Sequence, residues 1–277
     1  MRLPELDSER VSDYITKRLK WYVLEYAHAK AGVVGVSGGI DSATTAFLAT
    51  KALGRTKLFC YVLPGRATKR EDIDDALDIV TRLKVPNGHY ELIPIGDIVD
   101  QLKEKLGRLS KVEEGNLTAR VRMAILHQRA WRERAVVLGT GDKSELMIGY
   151  FTKYGDGGVD LLPLGGLYKT YVRQLARHLG VPKRIILKPP TPALWDGQTA
   201  EGELGIDYDT LDKILYLRFE EWLDSEEIIK RLGVSKEKVD RIMTMVRVTQ
   251  HKRLPPEVFK IGFRDLGSDW RYPRQWA

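Results

Sequence analysis

The order of apolar segments predicts an α/β chain, with a doubly wound, mainly parallel sheet covered by helices on both faces. Three observations carry this. Short runs that read as strands, apolar on both sides, recur at 33–36, 57–63, 88–95 and 135–139. Segments of helical spacing separate them. The first glycine cluster falls directly between a strand and a helix, as in a chain whose strand-to-helix loops gather along one sheet edge.

Taken in order, Val11, Ile15, Leu19, Val23 and Ala27 give helical spacing over 12–28, leading into the strand at 33–36. After Ser37-Gly38-Gly39 the chain turns to helix formers until about Gly54. The strand at 57–63 precedes a helix over 71–83, whose acidic Glu71, Asp72, Asp74 and Asp75 suit a helix start. A strand at 88–95 and an amphipathic helix at 98–106 follow. A longer helix is expected from Asn116, as N-cap, to about Arg132, feeding the strand at 135–139.

Residues 149–166 are rich in glycine but also carry Tyr150, Phe151, Tyr154 and aspartates, which reads as an ordered, ligand-bearing loop rather than a linker. A helix is expected at 169–179, and a strand at 185–187 after Pro182. Pro189, Pro190 and Pro192 end regular structure, and 195–205 reads as turn-rich. Helices are expected at 211–222, 225–232 and 236–249. The irregular 262–277 carries Phe263, Trp270, Tyr272 and Trp276 and is expected to pack down.

Composition excludes several classes. With 43% apolar and 30% charged residues over 277 positions, the chain has the make-up of an ordinary globular protein. It shows no signal-peptide pattern and no apolar run long enough to span a bilayer, so a cytoplasmic protein without membrane contact is expected. The single cysteine, Cys60, rules out an intramolecular disulfide and cysteine-rich metal ligation, and its apolar surroundings point to a buried thiol. A net charge of +7 suits nucleic acid and multiply phosphorylated small molecules equally. No basic tail or aromatic-basic repeat favours nucleic acid, and none is expected as partner.

The strongest chemical pattern is Ser37-Gly38-Gly39-Ile40-Asp41-Ser42 behind the first strand. Glycines permit tight turning and close approach, amide groups at the following helix start can face phosphate oxygens, and two serines add hydroxyl donors. The common P-loop lysine and the three-glycine dinucleotide fingerprint are both missing. Asp41 would repel phosphate unless a divalent cation bridged them. Glu145, beyond the strand at 135–139, can reach the same sheet edge, so the pair Asp41 and Glu145 is the candidate Mg2+ site.

This loop resembles the signature of the N-type ATP pyrophosphatases. Further segments resemble the ammonia-dependent NAD synthetases: Asn116-Leu117-Thr118-Ala119-Arg120-Val121-Arg122-Met123, Gly139-Thr140-Gly141-Asp142-Lys143-Ser144-Glu145, Gly149-Tyr150-Phe151-Thr152-Lys153-Tyr154-Gly155-Asp156, Leu194-Trp195 with Gly197-Gln198, and His251-Lys252-Arg253. The likeness runs in order over nearly the whole chain. It implies one synthetase domain over 1–277, of the Rossmann-like adenine nucleotide alpha hydrolase type. The implied activity consumes ATP, deamido-NAD and ammonia, and proceeds through an adenylated intermediate to NAD, AMP and pyrophosphate. A homodimer is implied as well, and free ammonia is the expected nitrogen source, since no segment able to release it from glutamine is evident.

By the same resemblance, Gly35, Ser37, Gly38, Gly39 and Ser42 hold phosphates, Asp41 and Glu145 ligate Mg2+, and Lys169 stabilises phosphate or acyl-adenylate. Arg120 and Thr140 face nucleotide, and Asp156, His251 and Lys252 hold deamido-NAD. Lys153 and Thr191 complete the substrate contacts. The chain departs from the family at Ala200-Glu201, where an acidic pair is usual. Two other readings remain open at this level: a different ATP-dependent adenylating enzyme, and an ATP-responsive nucleic-acid-binding protein.

Overall fold

The computed structural model describes residues 1–195 and 197–263. Four strands, β1 (Ala31–Gly35), β2 (Leu58–Val62), β3 (Tyr90–Leu92) and β4 (Ala135–Leu138), form one sheet in the order β3-β2-β1-β4, and every neighbouring pair is parallel. The helices are α1 (Ser8–Trp21), α2 (Ile40–Leu53), α3 (Arg70–Arg82), α4 (Gly96–Leu106), α5 (Lys111–Glu133), α6 (Lys143–Ile148), α7 (Lys169–Leu179), α8 (Lys183–Leu187), α9 (Ala200–Leu204), α10 (Tyr208–Phe219), α11 (Ser225–Leu232) and α12 (Lys236–Val248).

Alternation along the strands divides the core. Val34, Val36, Cys60 and Val62 point to a layer built from α1, α2, α3, α7 and α8, through residues such as Leu19, Ala46, Ile79, Leu175 and Ile185. Val33, Tyr61 and Val137 point the other way, against Val99 of α4 and Val121 and Ala130 of α5. This is the doubly wound arrangement that the segment order predicts. A third apolar cluster joins Ile148 of α6 to α9, α10, α11 and α12.

The strand order puts the reversal point beside β1: the chain moves outward from β1 to β2 and β3, then returns to add β4 on β1's other side. Ligands of open α/β sheets bind beyond the strand ends where the order reverses. The loops leaving β1 and β4 therefore face each other across a natural crevice.

Four local expectations are corrected. Asn116 is not an N-cap: α5 starts six residues earlier, where Ser110 and Glu113 form a reciprocal capping box. Residues 185–187 form part of α8 rather than a strand, because Pro182 presets the first turn and Ile185 and Ile186 then share one buried face. β3 is an exposed edge rather than a buried strand, with Tyr90, Glu91 and Leu92 all open to solvent. Phe263 is fully exposed instead of packed down, and Trp270, Tyr272 and Trp276 lie outside the described residues. Among the described residues, no helix is long and apolar enough to cross a membrane.

Candidate active site

The loop after β1 is shaped by its own side chains. Ser42 Oγ donates to the Gly39 carbonyl at 3.0 Å, accepts from the Ser37 amide at 3.1 Å and lies 3.1 Å from Ser37 Oγ, so the two serines tie the ends of the turn together. Gly38 has φ +78°, and a Cβ there would stand 2.2 Å from the Asp72 carbonyl oxygen of α3. Only glycine lets the turn close that tightly against its neighbour. α2 then begins at Ile40, with its first amide groups directed at the crevice.

Behind this loop lies Lys169, the first residue of α7, with no solvent exposure. Its Nζ is 2.7 Å from Asp41 Oδ2, 2.9 Å from Asp142 Oδ2 and 3.0 Å from Glu145 Oε1. Asp142 caps α6, accepting from the Glu145 amide, while Glu145 reaches back to the Asp142 amide. The capping box that starts α6 therefore also aims Glu145 at the lysine. Lys169 is itself placed through its backbone. Its amide donates to Ser144 Oγ at 2.9 Å, Ser144 donates to Asp212 of α10, and Asp212 also accepts from the Thr170 amide at 2.8 Å.

Burial pushes the Asp142 and Glu145 carboxyls above the usual carboxylate range, with the charge of Lys169 opposing the shift. Water reaches one side of Glu145, but the surrounding protein excludes most bulk solvent, so the carboxylate is poorly hydrated. Burial alone would lower Lys169. Asp142, Asp41 and Glu145 outweigh it and hold the ammonium well above the usual lysine range.

In front of these groups opens a cavity of about 450 Å³. Of the residues that the sequence singles out, Gly35, Ser37, Gly39, Asp41, Ser42, Thr140, Glu145, Asp156, Thr191 and Lys252 line it. Gly38 and Lys169 sit directly behind the wall, Gly38 in the turn and Lys169 against Asp41 and Glu145. Arg120, Lys153 and His251 do not line the cavity but sit beside its Thr152 and Lys252 end: Arg120 Nη2 donates to the Lys153 carbonyl at 3.4 Å and Lys153 Nζ to the His251 carbonyl at 2.8 Å.

The same end is organised by backbone contacts. Lys252 Nζ donates to the carbonyls of Gly149 and Phe151, at 2.8 and 2.9 Å, and Asp156 accepts from the Thr152 amide at 2.8 Å. Thr152 Oγ1 is 2.7 Å from Asn116 Oδ1, which gives Asn116 a role in the cavity wall in place of the cap. The glycine-rich segment is thus an ordered loop, pinned by the basic cluster after α12.

Sequence reasoning missed Asp142 and Asp212. Asp142 stands three residues before Glu145, the spacing of a capping box, and that signal could have found it. For Asp212 the sequence carries no comparable signal. Lys188 was missed too. It follows α8, bonds Asp72 at 2.8 Å and Asp75 of α3, and lies 3.5 Å from the Gly38 carbonyl.

The fold and site define a nucleotide-binding α/β protein with a tight serine-glycine turn at the reversal point of its sheet. The chain belongs to the NAD synthase family, whose model matches residues 11–256. It is 51% identical over 272 residues to the NH3-dependent NAD+ synthetase of Saccharolobus solfataricus, covering 98% of this chain and 96% of that one. Among solved structures it resembles an NMN synthetase from Francisella tularensis, with TM-score 0.81, 32% identity and coverage of 93% of this chain and all of the other. It also resembles the NH3-dependent NAD synthetase of Campylobacter jejuni, with TM-score 0.77, 25% identity and coverage of 92% and 100%.

Proposed function

We propose that the protein makes NAD by ATP-dependent amidation of deamido-NAD with ammonia. The observation that carries this reading is that the loop after β1 and the ordered loop bearing Asp156 wall one cavity, in a chain of the NAD synthase family. A nucleotide's phosphates at the first loop and a second substrate along the other would bring the two reacting groups together. Apposition of this kind can supply a large share of a rate enhancement without a side-chain nucleophile.

In the first step an oxygen of the nicotinate carboxylate bonds to the α-phosphorus of ATP. The bond from that phosphorus to the bridging oxygen breaks, and the electron pair leaves with pyrophosphate. In the second, ammonia attacks the activated carbonyl carbon, the bond to AMP breaks, and a proton passes to solvent. Ser37, Gly39 and Ser42 hold the departing pyrophosphate by amide and hydroxyl donors, and Lys169 holds Asp41 and Glu145 in place. Asp156 and Lys252 position deamido-NAD, with Arg120, Lys153 and His251 beside that end, outside the lining. Thr140 and Thr191 contact ATP.

Mg2+ fits Asp41 and Glu145 on chemical grounds. Among the described residues no ready-made cage of three or more metal-ligating side chains is present. Mg2+ with nucleotide phosphates commonly uses only one or two carboxylates, the phosphates and water. Asp41 Oδ1 is buried with no hydrogen-bond partner, and one ammonium among three carboxylates leaves an excess of negative charge. When bound, the ion would neutralise charge on the phosphate oxygens.

A homodimer is supported by an apolar face outside the cavity. Tyr90 and Leu92 on the β3 edge, Leu106 of α4 and Trp131 of α5 are exposed. Arg129 of α5 bonds Glu91 of β3, and Lys103 of α4 bonds Glu114 of α5, so these elements form one surface. Light scattering tests this, and a persistent monomer under assay conditions would refute it.

The activity is tested by incubating the protein with Mg2+, ATP, deamido-NAD and ammonium, omitting each in turn, and quantifying NAD, AMP and pyrophosphate. All three should form together only in the complete mixture. ADP with phosphate, or no NAD, overturns the reading. Nicotinate mononucleotide, offered as a competing acceptor, separates NAD synthesis from synthesis of the mononucleotide.

A further inference from the structure

Two cations in the cavity wall are left without a task by the assignments above, and Lys188 is already ion-paired with Asp72 and Asp75. Arg122 stands on α5 two residues beyond Arg120, and its half-buried guanidinium lines the cavity. Its Nε donates to the Leu63 carbonyl at 3.0 Å, at the end of β2. Among the described residues neither terminal nitrogen has a hydrogen-bond or ion-pair partner. Nη2 lies 3.6 Å from where a Cβ on Gly65 would stand, an ordinary contact distance, so Gly65 borders the guanidinium.

This arrangement is costly unless something anionic completes it. A guanidinium taken partly out of water with only one neutral acceptor loses hydration that the protein does not replace. Burial disfavours its charge, and Asp156 offsets only part of that penalty from beyond salt-bridge distance. Fixing Nε on a backbone carbonyl leaves the planar fork of two terminal nitrogens aimed at the cavity, and such a fork matches carboxylate and phosphate oxygens.

The position selects which oxygens. Leu63 and Gly65 belong to the loop after β2, next to the phosphate loop after β1, and Asp156 belongs to the loop that walls the other half. Arg122 thus stands on the seam between the two halves of the cavity.

We infer that Arg122 is a catalytic residue, binding the anionic oxygens where the nicotinate carboxylate meets the α-phosphate of ATP. This rests on the proposed synthetase reaction. Arg122 changes no bonds and moves no proton. Its terminal N–H groups draw the two anions together and stabilise charge on the α-phosphate oxygens as the bond to pyrophosphate breaks. It serves the adenylation step and leaves the grip on the β and γ phosphates to the loop after β1.

Arg122→Met and Arg122→Lys test this. For each, the melting temperature, the affinity for a non-hydrolysable ATP analogue and the deamido-NAD-dependent exchange of labelled pyrophosphate into ATP are measured beside NAD formation. Arg122→Met should slow exchange and NAD formation by about a hundredfold or more, the scale of removing one preorganised charge-stabilising donor. Its melting temperature should stay close to that of the unaltered protein, and its analogue affinity should fall far less than its exchange rate. Arg122→Lys, which keeps the charge but loses the fork, should recover part of the exchange rate without reaching the original.

Exchange at the original rate in either variant overturns the inference, as does equal loss in both, which would mark a role of shape. If Arg122→Met does not fold, Arg122→Lys decides alone: slowed exchange at an unchanged melting temperature supports the role. NAD formation by the unaltered protein is the control that tests the reaction itself. Failure there counts against the proposed function, whereas failure at position 122 alone counts against Arg122.

Discussion

Lys169 and Asp142 form an ion pair in which neither side chain touches solvent, with Nζ 2.9 Å from Oδ2. The contact is electrostatic, since Asp142 Oδ2 lacks hydrogen-bond geometry to any partner. Asp142 therefore has two separable duties: capping α6 through Oδ1 and balancing Lys169 through Oδ2. Asp142→Asn keeps a competent cap and removes the charge, while Asp142→Ala removes both. Breaking a buried pair costs about 3–5 kcal/mol, and losing a cap about 1 kcal/mol. Asp41 and Glu145 still face Lys169, so the lower end of that range is expected for Asp142→Ala, with a smaller loss for Asp142→Asn. Urea denaturation of both variants measures it, and an alanine variant as stable as the original would refute the pairing.

Asp212 works on the same lysine through the backbone. Its two oxygens accept from Ser144 Oγ and the Thr170 amide, and Ser144 in turn accepts from the Lys169 amide. Asp212→Asn places an amide group against one of these donors, leaving a buried group unsatisfied at a cost of about 1–3 kcal/mol. The start of α7 should shift, so NAD formation is expected to fall further than the lost stability explains. Assay at a temperature well below the variant's melting point checks this. Full activity there would show that Asp212 does not place Lys169.

The course of the chain was readable where one local pattern sufficed. Valine-rich β1, its serine-glycine turn and the start of α2 are contiguous, so chain order alone put Asp41 at a sheet edge. The misreadings arose where two patterns competed. Ile185 and Ile186 after a proline suit a strand, but burial of both against the α7 layer is achieved by one helical turn. Asn116 looks like a cap only if the Ser110 and Glu113 pair is passed over. Asp212 was beyond reach because its partners lie 42 and 68 residues away, and only the packing of α10 against α6 and α7 joins them.

Gly38 tests the turn itself. Gly38 and Gly54 have nearly equal positive φ, +78° and +79°, but a Cβ at Gly54 meets nothing within 4 Å while one at Gly38 meets the Asp72 carbonyl. Both alanine variants carry the penalty of a positive φ, about 1–3 kcal/mol, and Gly54, at ψ 156°, lies in a region that is essentially glycine-only. Gly38→Ala must additionally push α3 from the phosphate loop. It should weaken binding of a non-hydrolysable ATP analogue, which Gly54→Ala should leave unchanged. Calorimetric titration of both variants decides it; equal affinities would show that the tight approach of Asp72 does not shape the cradle.

Cys60 sits in β2 with no exposure, and burial pushes its thiol from 9.0 up to about 12. Because the folded value is raised, the unfolded chain ionises first as pH increases. The stability that depends on a neutral thiol is therefore fully present below about pH 9, and it declines as pH rises from 9 toward 12. Neutral and buried, the thiol should react with an aromatic disulfide reagent only when the sheet opens, since the thiolate is the nucleophile. Labelling at neutral pH should be slow and should accelerate through the urea transition in step with loss of secondary structure. Rapid labelling of the native protein would mean that β2 opens locally, and that the layer formed by α1, α2 and α7 does not seal this face of the sheet.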